Sequence, residues 1–206
     1  MNFTTMQPSL LIARIVTLLI AFSVHEFSHA FAAVSFGDPT PRQDGRLTLN
    51  PIRHLDLIGT LMLIVTGFGW AKPVRINPSI IERKTKAGVM LVSLAGPVSN
   101  LLLAVIAVIP LRFGSFSHSQ GILPSFPYFL TQFIYINLSL AVFNLLPFSP
   151  LDGEGVFEFF VPKDAKPFWD KMQRYGMPIL LIGFLVLPYF GIDLFNAILS
   201  PIIRGL

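Results

Sequence analysis

Long apolar blocks alternate with short polar stretches along the chain, and these blocks predict its helices. Four of them cover residues 8–36, 87–111, 128–148 and 177–199. A helix rises about 1.5 Å per residue, so roughly 20 residues cross the hydrocarbon core of a bilayer. The pattern therefore predicts an all-α polytopic membrane protein with about four spanning helices.

Two further segments are less regular. Residues 57–69 are apolar but too short to cross a bilayer easily, and they include Gly59, Gly67 and Gly69. We interpret them as a re-entrant or interfacial segment, with a crossing as the alternative. Residues 46–49, which lie among turn-forming residues, predict a short extended piece.

Composition supports lipid as the solvent for much of the surface. Hydrophobic residues make up 53% of the chain and charged residues 13%, which is about half the share in soluble domains. The 15 lysines and arginines are too scattered for a nucleic-acid-binding surface, and contacts with anionic lipid suit them better. There is no internal repeat. We therefore expect one membrane-embedded domain over residues 1–206, with a catalytic core at about 8–160 and a C-terminal helix at about 177–200.

Basic residues are distributed unevenly between the polar segments. Segment 70–86 has five lysines and arginines and segment 163–175 has four, whereas segment 112–127 has one. The positive-inside rule predicts that the first two are cytoplasmic and the third is external. If residues 57–69 do not cross, the C-terminal half of the first helix also lies toward the cytoplasm.

That half of the first helix contains the motif His25-Glu26-Phe27-Ser28-His29. Residues four apart lie on one helical face, so both imidazoles can reach one metal ion. Glu26 can act as a general base toward a metal-activated water. The chain has no cysteine, so a zinc site would need imidazole and carboxylate ligands. Ionisable residues inside an apolar helix are costly unless they are used, which favours a metal site over coincidence.

The third metal ligand must come from another part of the chain. Asp152 follows the block at 128–148, where Pro147 and Pro150 should break the helix and open a cavity. Other carboxylates near apolar blocks are Asp38, Asp44, Asp56 and Asp193. The alternative role for Asp152 is an N-cap for the segment that follows it.

Asn144 and His54 have two possible roles each. Asn144 could bind a substrate backbone or an oxyanion, or it could join helices. We assign Asn100 and Asn137 to helix–helix contacts. His54 could approach a metal or substrate, but a hydrogen bond within its own loop is the simpler interpretation.

Three blocks of sequence together resemble the site-2 protease family of intramembrane zinc metalloproteases. They are residues 25–30, His-Glu-Phe-Ser-His-Ala; residues 93–100, Ser-Leu-Ala-Gly-Pro-Val-Ser-Asn; and residues 143–153, Phe-Asn-Leu-Leu-Pro-Phe-Ser-Pro-Leu-Asp-Gly. With Gly-Trp-Ala-Lys-Pro-Val at 69–74, they are similar to the short bacterial branch of that family. No PDZ-like or nucleotide-sensing domain is evident, which leaves regulation by such modules in doubt.

The resemblance implies one zinc ion per chain, held by His25, His29 and Asp152, with Glu26 activating water and Asn144 holding the substrate. It implies cleavage of peptide bonds in or beside transmembrane helices of membrane-protein substrates. It also implies a small membrane-associated β element formed by residues 46–49 with the re-entrant segment. We expect an integral protein of the bacterial inner membrane whose active site faces the cytoplasm.

Two other classes of function use the same residues. A metal carrier could pass ions through the His and Asp ligands, but only one such cluster is evident in the sequence. A catalytically silent relative could sequester membrane helices, but it would have no need of Glu26. The sequence does not indicate an oligomeric state or a particular substrate.

Overall fold

The computed structural model describes residues 7–66, 69–114, 123–192, 197 and 201, and it describes the side chains of 63–66 and 185 no further. Within these ranges the chain forms nine α-helices. They are α1 (Pro8–Ser35), α2 (Thr40–Gln43), α3 (Leu57–Thr66), α4 (Pro78–Lys84), α5 (Gly88–Phe113), α6 (Phe126–Asn144), α7 (Asp152–Glu158), α8 (Lys166–Arg174) and α9 (Gly176–Leu181). Short 3-10 turns lie at Pro51–Arg53, Lys163–Ala165 and Leu187–Phe190, and a π-helical segment lies at Ile182–Val186.

Three of the described helices, α1, α5 and α6, are long and apolar enough to cross a membrane. This confirms the prediction of a helical fold and gives candidate spans at three of the four predicted positions. The fourth, at 177–199, lies partly outside the described residues. Its described part consists of α9, the π-helical segment and the last 3-10 turn, so the count of four spans is not confirmed.

Small side chains line the packed interior of the bundle, where α5 contacts both α1 and α6. The fully buried alanines of α1 are Ala13, Ala21, Ala30 and Ala33. Gly96 and Pro97 are buried on α5. Small residues let membrane helices approach closely. Large apolar side chains instead lie on the outer surface, among them Ile15, Ile20, Leu102, Ile106 and Ile109. This arrangement is the one expected for a bundle surrounded by lipid.

The third long helix ends earlier than the sequence pattern predicts. We expected it to reach residue 148, but α6 ends at Asn144. Pro147 disfavours helical geometry for the residue before it, so the break begins ahead of the prolines. Residues 145–151 then form an irregular connection, which we call the ligand loop, and α7 begins at Asp152 and packs against α5.

The segment at 57–69 is helical over its first ten residues, whereas the predicted β element is not confirmed. Residues 57–66 form α3, which is only about 15 Å long and therefore too short to span a bilayer. Residues 67 and 68 lie outside the described part. Residues 46–49 form no strand, because the Thr48 N–H donates back to the Arg46 carbonyl (2.9 Å) and curls the segment. Among the described residues, β pairing is limited to an isolated antiparallel bridge between Leu55 and Ala71, so the β element is not confirmed.

Candidate metal centre

Two histidines of α1 form the helix-borne half of a candidate metal centre. His25 and His29 are buried on the face of α1 that packs against α5. Their Nε2 atoms lie 3.1 Å apart. The spacing of four residues places the two rings one above the other, as expected for an α-helix.

Asp152 completes the cluster from the opposite side. Its Oδ2 atom lies 3.1 Å from His25 Nε2 and its Oδ1 atom lies 3.2 Å from His29 Nε2. Within the described part of the chain, these three residues form the group that could hold a metal ion. A Cβ atom on Gly153 would lie 2.2 Å from the Leu146 carbonyl oxygen, so glycine there lets α7 start close against the ligand loop.

The geometry does not support the capping alternative for Asp152. Leu151 is the N-cap residue of α7, and no side chain caps the helix by a hydrogen bond. Asp152 Oδ2 is buried and has no hydrogen-bond donor in bonding geometry among the described residues. A buried carboxylate oxygen without a donor is costly unless a cation compensates for it.

The second nitrogen of each ring determines which atoms face the cluster. His29 Nδ1 lies 2.7 Å from the Val92 carbonyl oxygen, which can only accept, so Nδ1 carries the proton. His25 Nδ1 lies 2.6 Å from Asn100 Oδ1. The Asn100 amide nitrogen donates to Asn137 Oδ1 at 2.9 Å, which directs the Asn100 oxygen to His25. Both Nε2 atoms therefore present lone pairs to Asp152.

The residues present fit a zinc ion. Two imidazole lone pairs and a carboxylate converge with separations of 3.1 to 3.2 Å, and they repel one another unless a cation lies between them. Tetrahedral zinc with ligand distances of about 2.0–2.1 Å would hold its ligand atoms roughly 3.3 Å apart. Nitrogen and carboxylate donors are also those of catalytic zinc sites, which leave a fourth position open for water.

Gly96 of α5 lies directly against the two rings. A Cβ atom there would be 2.3 Å from His29 Nε2 and 2.7 Å from His25 Nε2. Glycine thus lets the backbone of α5 come close to the ligand atoms themselves.

Glu26 follows His25 on α1 and is buried beside the cluster. Its negative charge acts on His29 and on Arg46, whose guanidinium is buried and donates to the Arg53 and Lys72 carbonyls. Burial lowers the pKa of Arg46, and the negative charges of Glu26 and Asp44 oppose this effect. The segments around 46–53 and 72 are thereby tied to one cation near the candidate base.

Two other candidates lie outside the metal-ligand group. The Asn144 amide nitrogen donates to the Leu140 carbonyl at 2.9 Å, a bond within α6. His54 is almost fully buried, and its Nε2 lies 2.7 Å from the Thr48 carbonyl oxygen, in agreement with a loop contact. The structure gives neither residue a place among the three atoms that converge.

Asn100 has both a structural contact and a site contact. We assigned it to helix–helix contacts, and it does join α5 to Asn137 of α6. It also orients the His25 ring, a role that the sequence did not indicate. The sequence signal that could have revealed it is an amide within the apolar block 87–111, because an amide buried there needs several hydrogen-bond partners. Second-sphere groups of this kind set the tautomer of a metal-binding histidine.

Known proteins similar to this chain have names that agree with such a centre. The chain is 43% identical over 183 residues to "Putative zinc metalloprotease YwhC" of Bacillus subtilis (strain 168), and the match covers 86% of this chain and 82% of that protein. It is 32% identical over 170 residues to "Putative zinc metalloprotease Rip2" of Mycobacterium tuberculosis (strain ATCC 25618 / H37Rv), covering 81% and 64%. Rip2 of Mycolicibacterium smegmatis (strain ATCC 700084 / mc(2)155) is 30% identical over 170 residues, covering 80% and 63%.

The chain spans less than two thirds of the length of each Rip2 protein. No protein-family model matches, and no solved structure gives a significant match. The similarity to YwhC nevertheless extends over most of both chains. The chain therefore belongs to the site-2-protease-like family of zinc metalloproteases that includes YwhC and Rip2.

Proposed function

We propose that the protein is an intramembrane zinc metalloprotease of the short bacterial branch of the site-2 protease family. It hydrolyses peptide bonds in or beside transmembrane helices of membrane-protein substrates. The observation that carries this proposal is the convergence of His25, His29 and Asp152 on one point inside a bundle of apolar helices. A buried, partly open donor set of this kind suits catalysis by one metal ion per chain.

Each residue near the centre has a separate part in the proposed reaction. When bound, zinc would supply a Lewis acid that activates water and polarises the scissile carbonyl. The two histidines and Asp152 hold that ion, and Val92 and Asn100 keep the imidazole Nε2 lone pairs directed at it.

Glu26 accepts the proton of the attacking water and then passes it to the leaving amine. Its carboxylate is buried next to the ligands and is therefore shielded from competing solvent.

Asn144 has capacity left for a substrate. Its amide nitrogen uses one N–H on the Leu140 carbonyl, which leaves a second N–H and the amide oxygen. These groups can pair with the backbone of a peptide that has unwound from its helix. Asn144 is also the last residue of α6, directly before the ligand loop.

The proposed site lies in the bacterial inner membrane and faces the cytoplasm. This orientation rests on the basic residues of segments 70–86 and 163–175. One observation supports it: α3 is too short to span, which favours a connection between α1 and α5 on one side of the bilayer.

The test uses the purified full chain in detergent with a peptide that forms a transmembrane helix. Glu26→Gln should retain zinc but lose cleavage by about 100-fold or more, since a general base contributes that much to the rate. Glu82→Gln is the matched control, because Glu82 is exposed on α4. Undiminished cleavage by Glu26→Gln would remove Glu26 from the mechanism. Zinc flux across liposomes without any cleavage would favour the carrier hypothesis instead.

A further inference from the structure

The ligand loop that leads into Asp152 is fastened by a side chain from the C-terminal part of the chain. Gln173 is the buried residue of α8, whereas the other residues of that helix are exposed or half-buried. Its Oε1 atom accepts a hydrogen bond from the Ser149 N–H at 2.7 Å. Its Nε2 atom donates to the Pro147 carbonyl at 3.1 Å. One amide thus engages a donor and an acceptor two residues apart in the loop.

Gly176, which follows α8, packs against Ser149 of the ligand loop. A Cβ atom on Gly176 would lie 2.3 Å from the Ser149 oxygen and 2.8 Å from the Ser149 nitrogen, so a glycine is needed there. On the other side, Gly153 approaches the Leu145 and Leu146 carbonyls equally closely. The loop is therefore held between the start of α7 and the end of α8.

The loop has few local means of holding its own shape. Its backbone bonds are short-range, from Phe148 N–H to the Leu146 carbonyl and from Leu151 N–H to the Phe148 carbonyl, each 2.8 Å long. Prolines at 147 and 150 remove two of its donors. The Gln173 amide supplies contacts from 24 and 26 residues further along the chain.

We propose that Gln173 is a positioning residue for the third metal ligand: by fixing the ligand loop, it places the Asp152 carboxylate against His25 and His29. The inference rests on the proposed function in so far as that function needs this metal centre. It extends the functional unit beyond the core expected at 8–160 to include α8 and Gly176. Groups that hydrogen-bond a metal ligand directly change metal affinity by about 10–100-fold, and Gln173 acts on Asp152 through the backbone of the ligand loop.

The test measures metal affinity of the full chain in detergent by competition with a chelator. Gln173→Met keeps a similar side-chain length but can neither donate nor accept, and we expect zinc to bind about 10–100-fold more weakly. Gln173→Glu retains the acceptor for the Ser149 N–H and loses the donor to Pro147. Its zinc affinity should therefore lie between those of the wild type and Gln173→Met. Lys171→Met is the matched control on the exposed face of α8 and should bind zinc like the wild type.

A second measurement separates positioning from general stabilisation. In an Asp152→Ala background, Gln173→Met should weaken zinc binding little further, because the side chain that it positions is gone. The visible absorption of Co²⁺ bound in place of zinc should also change in Gln173→Met, since it reports on the ligand geometry. Equal losses in both backgrounds, an unchanged Co²⁺ spectrum, or loss of the folded state in both Gln173 variants would overturn the proposal.

These outcomes differ from failure of the proposed function. If the wild type binds no zinc, or binds zinc without cleaving any membrane peptide, the proposed function fails. If the wild type binds and cleaves while Gln173→Met binds zinc equally well, only the positioning role of Gln173 fails.

Discussion

The two halves of the metal centre are built in different ways. His25 and His29 lie on one turn of α1, so helix geometry places both side chains on one face, and contacts with Asn100 and Val92 turn their Nε2 atoms to within 3.1 Å of each other. Asp152 arrives from a loop with two prolines, more than a hundred residues later, and depends on α7, α8 and two closely packed glycines. The spacing of the two histidines is therefore a local property of α1, whereas the position of Asp152 depends on contacts with distant parts of the chain.

The largest effect should come from removing the loop-borne ligand. Asp152→Ala leaves two imidazoles in place, and we expect zinc affinity to fall by roughly 100-fold or more, because a carboxylate ligand and its charge are lost. Zinc stoichiometry after dialysis measures this directly. Asp164→Ala serves as control, since Asp164 is exposed in the turn before α8. Full occupancy in Asp152→Ala would mean that the third ligand lies elsewhere, and His54 would be the first residue to examine.

A smaller effect should follow from filling the space beside the helix-borne half. Gly96→Ala places a methyl group 2.3 Å from His29 Nε2, so the rings or α5 must shift. Zinc affinity should fall by about 10-fold or more, as it does when the groups around metal ligands are disturbed. Alanine otherwise favours a helix by about 1 kcal/mol over glycine, so α5 itself should remain helical by circular dichroism.

The matched control for that substitution is Gly155→Ala. Its methyl group would meet the Ser93 hydroxyl at 2.3 Å, a side-chain atom that can rotate away. Zinc affinity should therefore stay close to that of the wild type. Equal affinity in Gly96→Ala and Gly155→Ala would show that α1 and α5 can separate at the site without loss of the metal.

The smallest expected effect is on the stability of the fold and comes from Asp38, which lies just after the end of α1. Asp38 is fully buried and accepts hydrogen bonds from the Thr40 N–H (3.0 Å), the Thr40 hydroxyl (2.6 Å) and the Asn77 N–H (2.6 Å). Burial acts to raise the pKa of Asp38, but these hydrogen bonds outweigh it and hold the pKa below its usual range. Asp38→Asn should destabilise the fold by about 1–3 kcal/mol at neutral pH.

The pH dependence follows from the sign of that shift. A carboxyl group with a depressed pKa in the folded state stabilises the fold above its unfolded pKa of about 3.9, and the stabilisation is lost as the pH falls through the folded value. The difference in thermal unfolding temperature between wild type and Asp38→Asn should therefore narrow below about pH 4. Asp44→Asn, which breaks an exposed ion pair with Arg75, should change stability by less than about 1 kcal/mol. A constant difference down to pH 3 would contradict the assignment.

Periodicity and hydropathy were enough to predict the long helices but not their ends. The blocks that became α1 and α5 were predicted to within a few residues, because each is a continuous apolar run bounded by polar residues. The end of α6 was placed four residues too late, because the influence of Pro147 extends back along the chain. The β element at 46–49 is not confirmed among the described residues, because a local turn competes there with strand pairing that is not visible in sequence.

The sequence by itself determined the membrane class and the pair His25–His29 with Glu26 between them. These depend on composition and on a spacing of four residues, which are local properties. The family resemblance indicated Asp152 as the third ligand, but only the tertiary structure shows its carboxylate beside His25 and His29. Tertiary structure alone also decided the contacts of Val92, Gly96, Asn100 and Gln173 with the ligands or with the ligand loop. The physical reason is that a helix repeats within a few residues, whereas a ligand loop takes its shape from partners far along the chain.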